Sequence, residues 1–215
     1  MKRRTLDLLF SIGGVLIAGL LLAVGIVMSS NANFAKTYVS DQLKQQNITF
    51  KTVDTLTDEE KKSACLVQYA GQALTTGKQA ECYANDFIGL HVKSIANGAT
   101  YADLGAPQSA LQAKVKAAQA SNDPALADLQ KQLTTITSQR DTLFKGETLR
   151  GLLLTSYGFS VFGEKADQAG TVAYAAAVLM ALLSIAGFVH ALTTPGTKAF
   201  AAPDGRSTAA EKISV

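Results

Sequence analysis

Apolar and polar positions are distributed unevenly along this chain. Two stretches, 8–28 and 169–189, are uncharged and almost wholly apolar, each 21 residues long. A helix rises about 1.5 Å per residue and a bilayer core is about 30 Å thick, so about 20 such residues reach across it. Both stretches predict membrane-spanning helices, over 8–28 and 169–192. After the first, Phe34, Tyr38 and Leu43 recur near helical spacing, so that helix continues to about Gln46. Residues 48–53 alternate apolar and polar without an evident partner strand, which predicts a short extended piece or a loop rather than a sheet.

Thr57 and Glu60 have capping-box spacing and predict a helix running to about Ala70 that carries Cys65. Gly71 and Gly77 bracket a turn. A second helix is expected from about Lys78 to Ala96, carrying Cys82 and stopped by Asn97 and Gly98. Leu111, Val115 and Ala118 draw a thin apolar stripe along 108–120. Asp123 and Pro124 then open another helix, in which Leu126, Leu129, Leu133, Ile136, Arg140 and Leu143 follow a 3-4 spacing broken only by the arginine. These residues fit either an amphipathic helix packed on its own domain or a helical hairpin over about 108–145.

An apolar run follows that is too short to span a bilayer. It reads either as the buried end of a domain helix or as an interfacial segment over 149–162. In the second case Leu149, Leu153, Tyr157, Phe159 and Phe162 dock at the outer membrane surface, where aromatic rings settle. Gly146, Gly151 and Gly158 weaken it as a free-standing helix and imply close packing on a neighbour. The expected fold is an all-α membrane protein, two transmembrane helices flanking a mostly helical extracytoplasmic domain over 29–168.

Composition agrees, with 47% hydrophobic and only 17% charged residues, where soluble domains carry about 25% charge. Charge then sets orientation. Lys2, Arg3 and Arg4 precede the first stretch, Lys198, Arg206 and Lys212 follow the second, and 29–168 holds 14 basic and 14 acidic residues. Short flanks decide topology, so residues 1–7 and a flexible tail over 193–215 should be cytoplasmic at the plasma membrane. A cleaved signal peptide is the alternative for 8–28, but its apolar core normally holds about 7–15 residues.

Cys65 and Cys82 are the two cysteines of the chain, both on the side expected to be oxidising. An even pair there predicts a disulfide; two separate buried thiols are the alternative. With His91 the only nearby imidazole, they do not make a four-ligand zinc set. Gly14 and Ala18 in the first stretch, and Ala173, Ala177 and Ala181 in the second, are small residues near helical intervals. Such ladders permit close helix packing or partner contact, unless they reflect alanine richness alone. His190 reads as an interfacial residue, and neither stretch carries Asp, Glu, Lys or Arg for an ion relay. No CxxC, CxxCH, HExxH, GxSxG or P-loop pattern occurs. The expectation is a protein that is not an enzyme, needs no cofactor or metal, binds no nucleic acid, and meets phospholipid headgroups with its basic flanks.

The run RDTLFKGETLRGLLLTSY over 140–157, set between two apolar stretches and a two-cysteine helical region, resembles the actinobacterial (mycobacterial-type) respiratory supercomplex association factors. The layout is shared along the whole chain, and the more specific likeness lies within 145–157. The resemblance implies a non-catalytic accessory subunit that stabilises the cytochrome bcc–aa3 (complex III–IV) supercomplex, with cytochrome bcc and aa3 oxidase subunits as partners. The alternative is a freestanding cell-envelope membrane protein whose helical domain binds lipid, cell-wall material or a periplasmic partner. A concave apolar pocket within 34–168 would favour that alternative.

Overall fold

The computed structural model describes residues 3–195, and the tail with Lys198, Arg206 and Lys212 lies outside the described residues. Among those residues the regular structure is helical: α1 (Arg3–Gln45), α2 (Ala64–Gln68), α3 (Gly77–Cys82), α4 (Gly89–Ile95), α5 (Gly105–Ser121) and α6 (Leu126–Thr193). α1 and α6 each contain a stretch long and apolar enough to cross a membrane. The described residues fall into two compact units, 3–31 with 166–195, and 32–165.

In the first unit, the start of α1 and the end of α6 lie side by side and antiparallel. Gly14 faces Ser184 and Met180, Gly25 faces Tyr174, Ser29 faces Gly170, and Ser11 faces Gly187. Large apolar side chains such as Phe10, Leu20, Val178 and Leu182 point away from this contact and are exposed. The pair is thus small inside and apolar outside, the reverse of a water-soluble helix pair and the arrangement that suits lipid.

The second unit has a core in which Val39 and Leu43 of α1 meet Phe50, Leu66, Leu74, Ile88 and Val92, with Leu143 and Leu153 of α6. Residues 48–51 do find a partner, in 71–74. Phe50 N donates to Gln72 O at 2.9 Å and Leu74 N to Ile48 O at 2.9 Å, around an isolated bridge between Thr49 and Ala73. Gly71 closes this loop with φ +72°, a region that disfavours any side chain. α5 and α6 form a hairpin, and α6 also packs on its own domain through Leu143 and through Gln139 Nε2, which donates to Ile95 O at 3.1 Å. Asn122 at φ 49° ends α5, and Asp123 Oδ1 accepts from Ala125 N at 2.8 Å where α6 begins. Arg140 interrupts the apolar seam for a reason. Its guanidinium stacks 4.1 Å over the Tyr101 ring, its Nε donates to Tyr101 O and its Nη1 to Gln108 Oε1, tying the start of the hairpin together.

Two expectations are corrected. The helix expected from Thr57 to Ala70 is broken. The Thr57–Glu60 capping box forms, with Thr57 N donating to Glu60 Oε2 at 2.7 Å and Glu60 N to Thr57 Oγ1 at 3.2 Å, but it caps only a 3-10 turn, Glu60–Lys62. Ser63 then takes an extended conformation and caps α2 anew, because its hydroxyl is held by Asp86 Oδ2 at 2.6 Å. The helix expected over 78–96 exists but contains a π-helical turn, Tyr83–Ile88, between α3 and α4. The apolar run 149–162, expected either as the end of a domain helix or as an interfacial segment, is part of the long helix α6. α6 passes through it unbroken, since 125–194 contains no proline and the burial of Leu143 and Leu153 offsets the cost of about 1 kcal/mol per interior glycine. Of its glycines, Gly146 packs on Val92 as expected, whereas a Cβ on Gly151 or Gly158 would meet nothing within 4 Å.

Candidate functional site

The first candidate site is the small-residue seam between α1 and α6. On α6, Gly170, Ala177, Ser184 and Ala191 recur every seven residues and all are buried. On α1, Ser11, Ala18 and Gly25 recur at the same interval, with Gly14 beside them. Antiparallel helices with a seven-residue repeat keep one face in continuous contact. The contact is close: a Cβ added to Gly170 would stand 2.9 Å from Ser29 Oγ and 3.3 Å from Gly25 O, and one on Gly25 would stand 2.7 Å from the Tyr174 ring. Of the residues expected to contact a partner, Gly14, Ala173 and Ala177 are buried in this seam, and Ala18 and Ala181 are half-buried. Their packing is accordingly met within the chain. Ser11, Gly25, Gly170 and Ala191 belong to the same surface and were legible as a seven-residue repeat, whereas Gly187, which faces Ser11, falls off that repeat. Near one end of the seam His190 Nδ1 lies 2.9 Å from Asp7 Oδ2, a pairing between residues 183 positions apart.

The second is the disulfide-clamped region of the other unit. Cys65 in α2 and Cys82 in α3 are bonded, with Cα atoms 6.0 Å apart, within the usual range for a disulfide. Asp86 Oδ2 lies 3.0 Å from Cys65 Sγ while accepting the Ser63 hydroxyl. Cys65, Cys82 and Asp86 could together offer three metal-ligand atoms, but sulfurs bonded to each other present no thiolate to an ion. Tyr69, Lys78, Glu81 and Asn85 complete a shallow depression of about 300 Å³ over this bond.

In the same unit Glu60 is fully buried. Its carboxylate accepts from Lys51 Nζ at 2.8 Å and from Thr57 N, and His91 Nε2 stands 3.5 Å away. The Phe87 carbonyl 2.7 Å from His91 Nδ1 can only accept, so Nδ1 is a donor there, and Nε2 is the ring nitrogen turned to the carboxylate. Burial works against the charged form of Glu60, but the Lys51 and Thr57 hydrogen bonds outweigh it and hold the carboxyl below its ordinary value. Burial, and then the Glu60 charge, push the Tyr83 phenol up.

The third candidate is an open apolar groove of about 280 Å³ between α4 and α6, floored by Ile88, Val92, Ile95, Gly146 and Leu149 and rimmed by His91 and Lys145. The residues expected to dock at a membrane surface divide among different surroundings. Leu153 is in the core, Leu149 edges the groove, Tyr157 is half-buried with Lys78 Nζ 5.1 Å from its ring centre, and Phe159 and Phe162 face outward. No protein family, curated protein or solved structure matches this chain.

Proposed function

We propose that this chain is a two-span anchor carrying a disulfide-clamped helical domain on the outer side of the plasma membrane, and that it serves there as a non-catalytic accessory subunit of the cytochrome bcc–aa3 assembly. The observation that carries the anchoring role is the seam. Because small residues bury one another along α1 and α6, the pair needs no partner to close, and its remaining surface is apolar and exposed. A partner subunit then meets the outward faces of α1 and α6, which carry Leu16, Leu20, Val178 and Ile185. The respiratory part of the reading is supported by the resemblance over 140–157. That run is also what the domain is built on, since Leu143 and Leu153 lie in the core, Gly146 is pressed against Val92, and Arg150 Nη2 reaches Asn85 Oδ1 at 3.3 Å. Both termini lie in the cytoplasm on this reading, from the basic flanks.

The test is purification of the tagged full-length protein in a mild detergent, followed by a haem absorption spectrum of what co-elutes. Absorption bands of a-, b- and c-type haem in stoichiometric amounts are expected; a haem-free preparation overturns the respiratory assignment. The second reading, a freestanding envelope protein that holds an apolar ligand, is favoured by the groove at Ile88, Val92 and Leu149, whose volume sits just below the about 300–1,000 Å³ of common ligand pockets. Delipidation and mass spectrometry of the same preparation would reveal such a ligand.

A further inference from the structure

Four aromatic rings outside the apolar stretches are gathered on one surface of the 32–165 unit. Phe34 stacks on Tyr38 with ring centres 5.7 Å apart, and Phe159 meets both edge-on at 6.4 and 5.9 Å. Phe162 stands one helical turn further along α6. All four stay exposed, at 61%, 50%, 39% and 76% for Phe34, Tyr38, Phe159 and Phe162. Scattered exposed rings are ordinary, but rings in mutual contact form a contiguous apolar patch that water does not favour, and such patches mark a binding surface.

We propose that this ring ledge seats in the headgroup layer of the outer lipid leaflet and sets the depth at which the chain sits. The proposal rests on the two-span reading and adds to it where the outer membrane surface lies. Three observations point to lipid as the occupant. The first is length. Residues 8–35 of α1 are uncharged, and 28 helical residues reach about 42 Å, which matches a bilayer with both headgroup layers, about 40–45 Å, rather than its core alone. Phe34 is the last ring of that run and so falls at the headgroup level. The second is the chemistry of the side chains, because Tyr38 is an amphipathic ring of the kind that settles in this zone and Phe is a usual residue on apolar faces buried at the headgroup boundary. The third is charge, since exposed Lys36 follows Phe34 by two positions and offers lipid phosphate a cation. Phe159 and Phe162 reach the same ledge from α6, so both long helices are fixed at one level.

The chain contains no tryptophan, so a single introduced indole reports one position. The full-length protein is reconstituted in phospholipid vesicles with bromine placed either near the carbonyl end or near the methyl end of the acyl chains. Phe162→Trp and Phe34→Trp are read beside two references, Leu179→Trp in the middle of the second apolar stretch and Tyr101→Trp at the base of the hairpin. The ledge indoles should be quenched at least about twofold more by shallow than by deep bromine, and little by aqueous iodide. Leu179→Trp should show the opposite depth preference, and Tyr101→Trp should respond to iodide alone. Ledge indoles quenched by iodide and not by bromine place the rings in water and overturn the proposal. Quenching by neither agent means that protein covers them, a second copy or another subunit, and overturns it equally. Absence of bromine quenching at Leu179→Trp would instead bring down the two-span reading beneath it. Two independent ledge positions keep the result readable if one substitution perturbs folding.

Discussion

A carboxylate without solvent exposure is tolerated in this domain because every oxygen of Glu60 has a partner. Lys51 Nζ contacts Oε1 at 2.8 Å and Oε2 at 3.2 Å, and the Thr57 amide adds a third donor at 2.7 Å. Removing the charge while keeping the shape should therefore cost about 2 kcal/mol, the scale of a hydrogen bond to a charged group. Lys51 is itself a third exposed and can rehydrate, which keeps the figure modest. The sign of the pH dependence follows from the lowered carboxyl pKa. Stability from Glu60 is fully present above the pKa of an unfolded glutamate and is lost as pH falls through the lower folded value. In denaturant unfolding at several pH values, the gap between the wild type and Glu60→Gln should be widest at neutral pH and close under acid conditions. A gap that widens on acidification would mean that Glu60 is buried protonated. The Thr57–Glu60 spacing announced the capping box in the sequence. Lys51 and His91 were not legible as its companions, because contacts made across loops leave no periodic trace.

At the scale of the helices, the same contrast between local and distant information recurs. The ends of α1 and α5, the hairpin turn at Asn122 and the apolar stripes on either side of it follow from capping residues and 3-4 spacing within one segment. The break at Ser63 does not, because it depends on Asp86, 23 residues away. Nor does the unbroken course of α6 through Gly151 and Gly158, where helix continuity is a tertiary effect. Small residues at intervals of three and four identify a ladder, and the seven-residue repeat of Gly170, Ala177, Ser184 and Ala191 picks out one line of those inside it, beside Ala173 and Gly187. Gly19 illustrates the distinction: it is as small as Gly170, yet a Cβ there would meet nothing within 4 Å. Gly170→Val should consequently weaken the helix pair by about 1–3 kcal/mol through overpacking against Gly25 O and Ser29, while Gly19→Val leaves it intact. Thermal unfolding of the two variants in detergent measures the difference. Equal loss from both would remove the seam as the basis of the pair.

For the molecule as a whole, sidedness links the cysteine chemistry to the charge pattern. The 32–165 unit contains Cys65, Cys82 and Ser121, so all three lie on one side of any membrane crossed by the stretches that flank the unit. A disulfide persists on the oxidising side and is kept reduced in the cytoplasm. On the proposed reading, the basic flanks independently put the termini in the cytoplasm. The two arguments use different residues and must agree. Ser121 is exposed at the end of α5, at the hairpin turn. With both native sulfurs bonded, Ser121→Cys supplies a solitary thiol. A membrane-impermeant maleimide applied to intact cells should label it, and denaturation without reductant should release no further thiol. The tail offers the converse site: Arg206→Cys should be labelled only after permeabilisation. An inverted protein would reverse both labelling results and leave Cys65 and Cys82 as free thiols, so the thiol count and the labelling side must change together. Labelling of Ser121→Cys from outside with free native thiols would separate them, and would show that the loop between the cysteines, which stand 17 positions apart, closes through packing alone, without the about 3 kcal/mol that a covalent link of that length contributes.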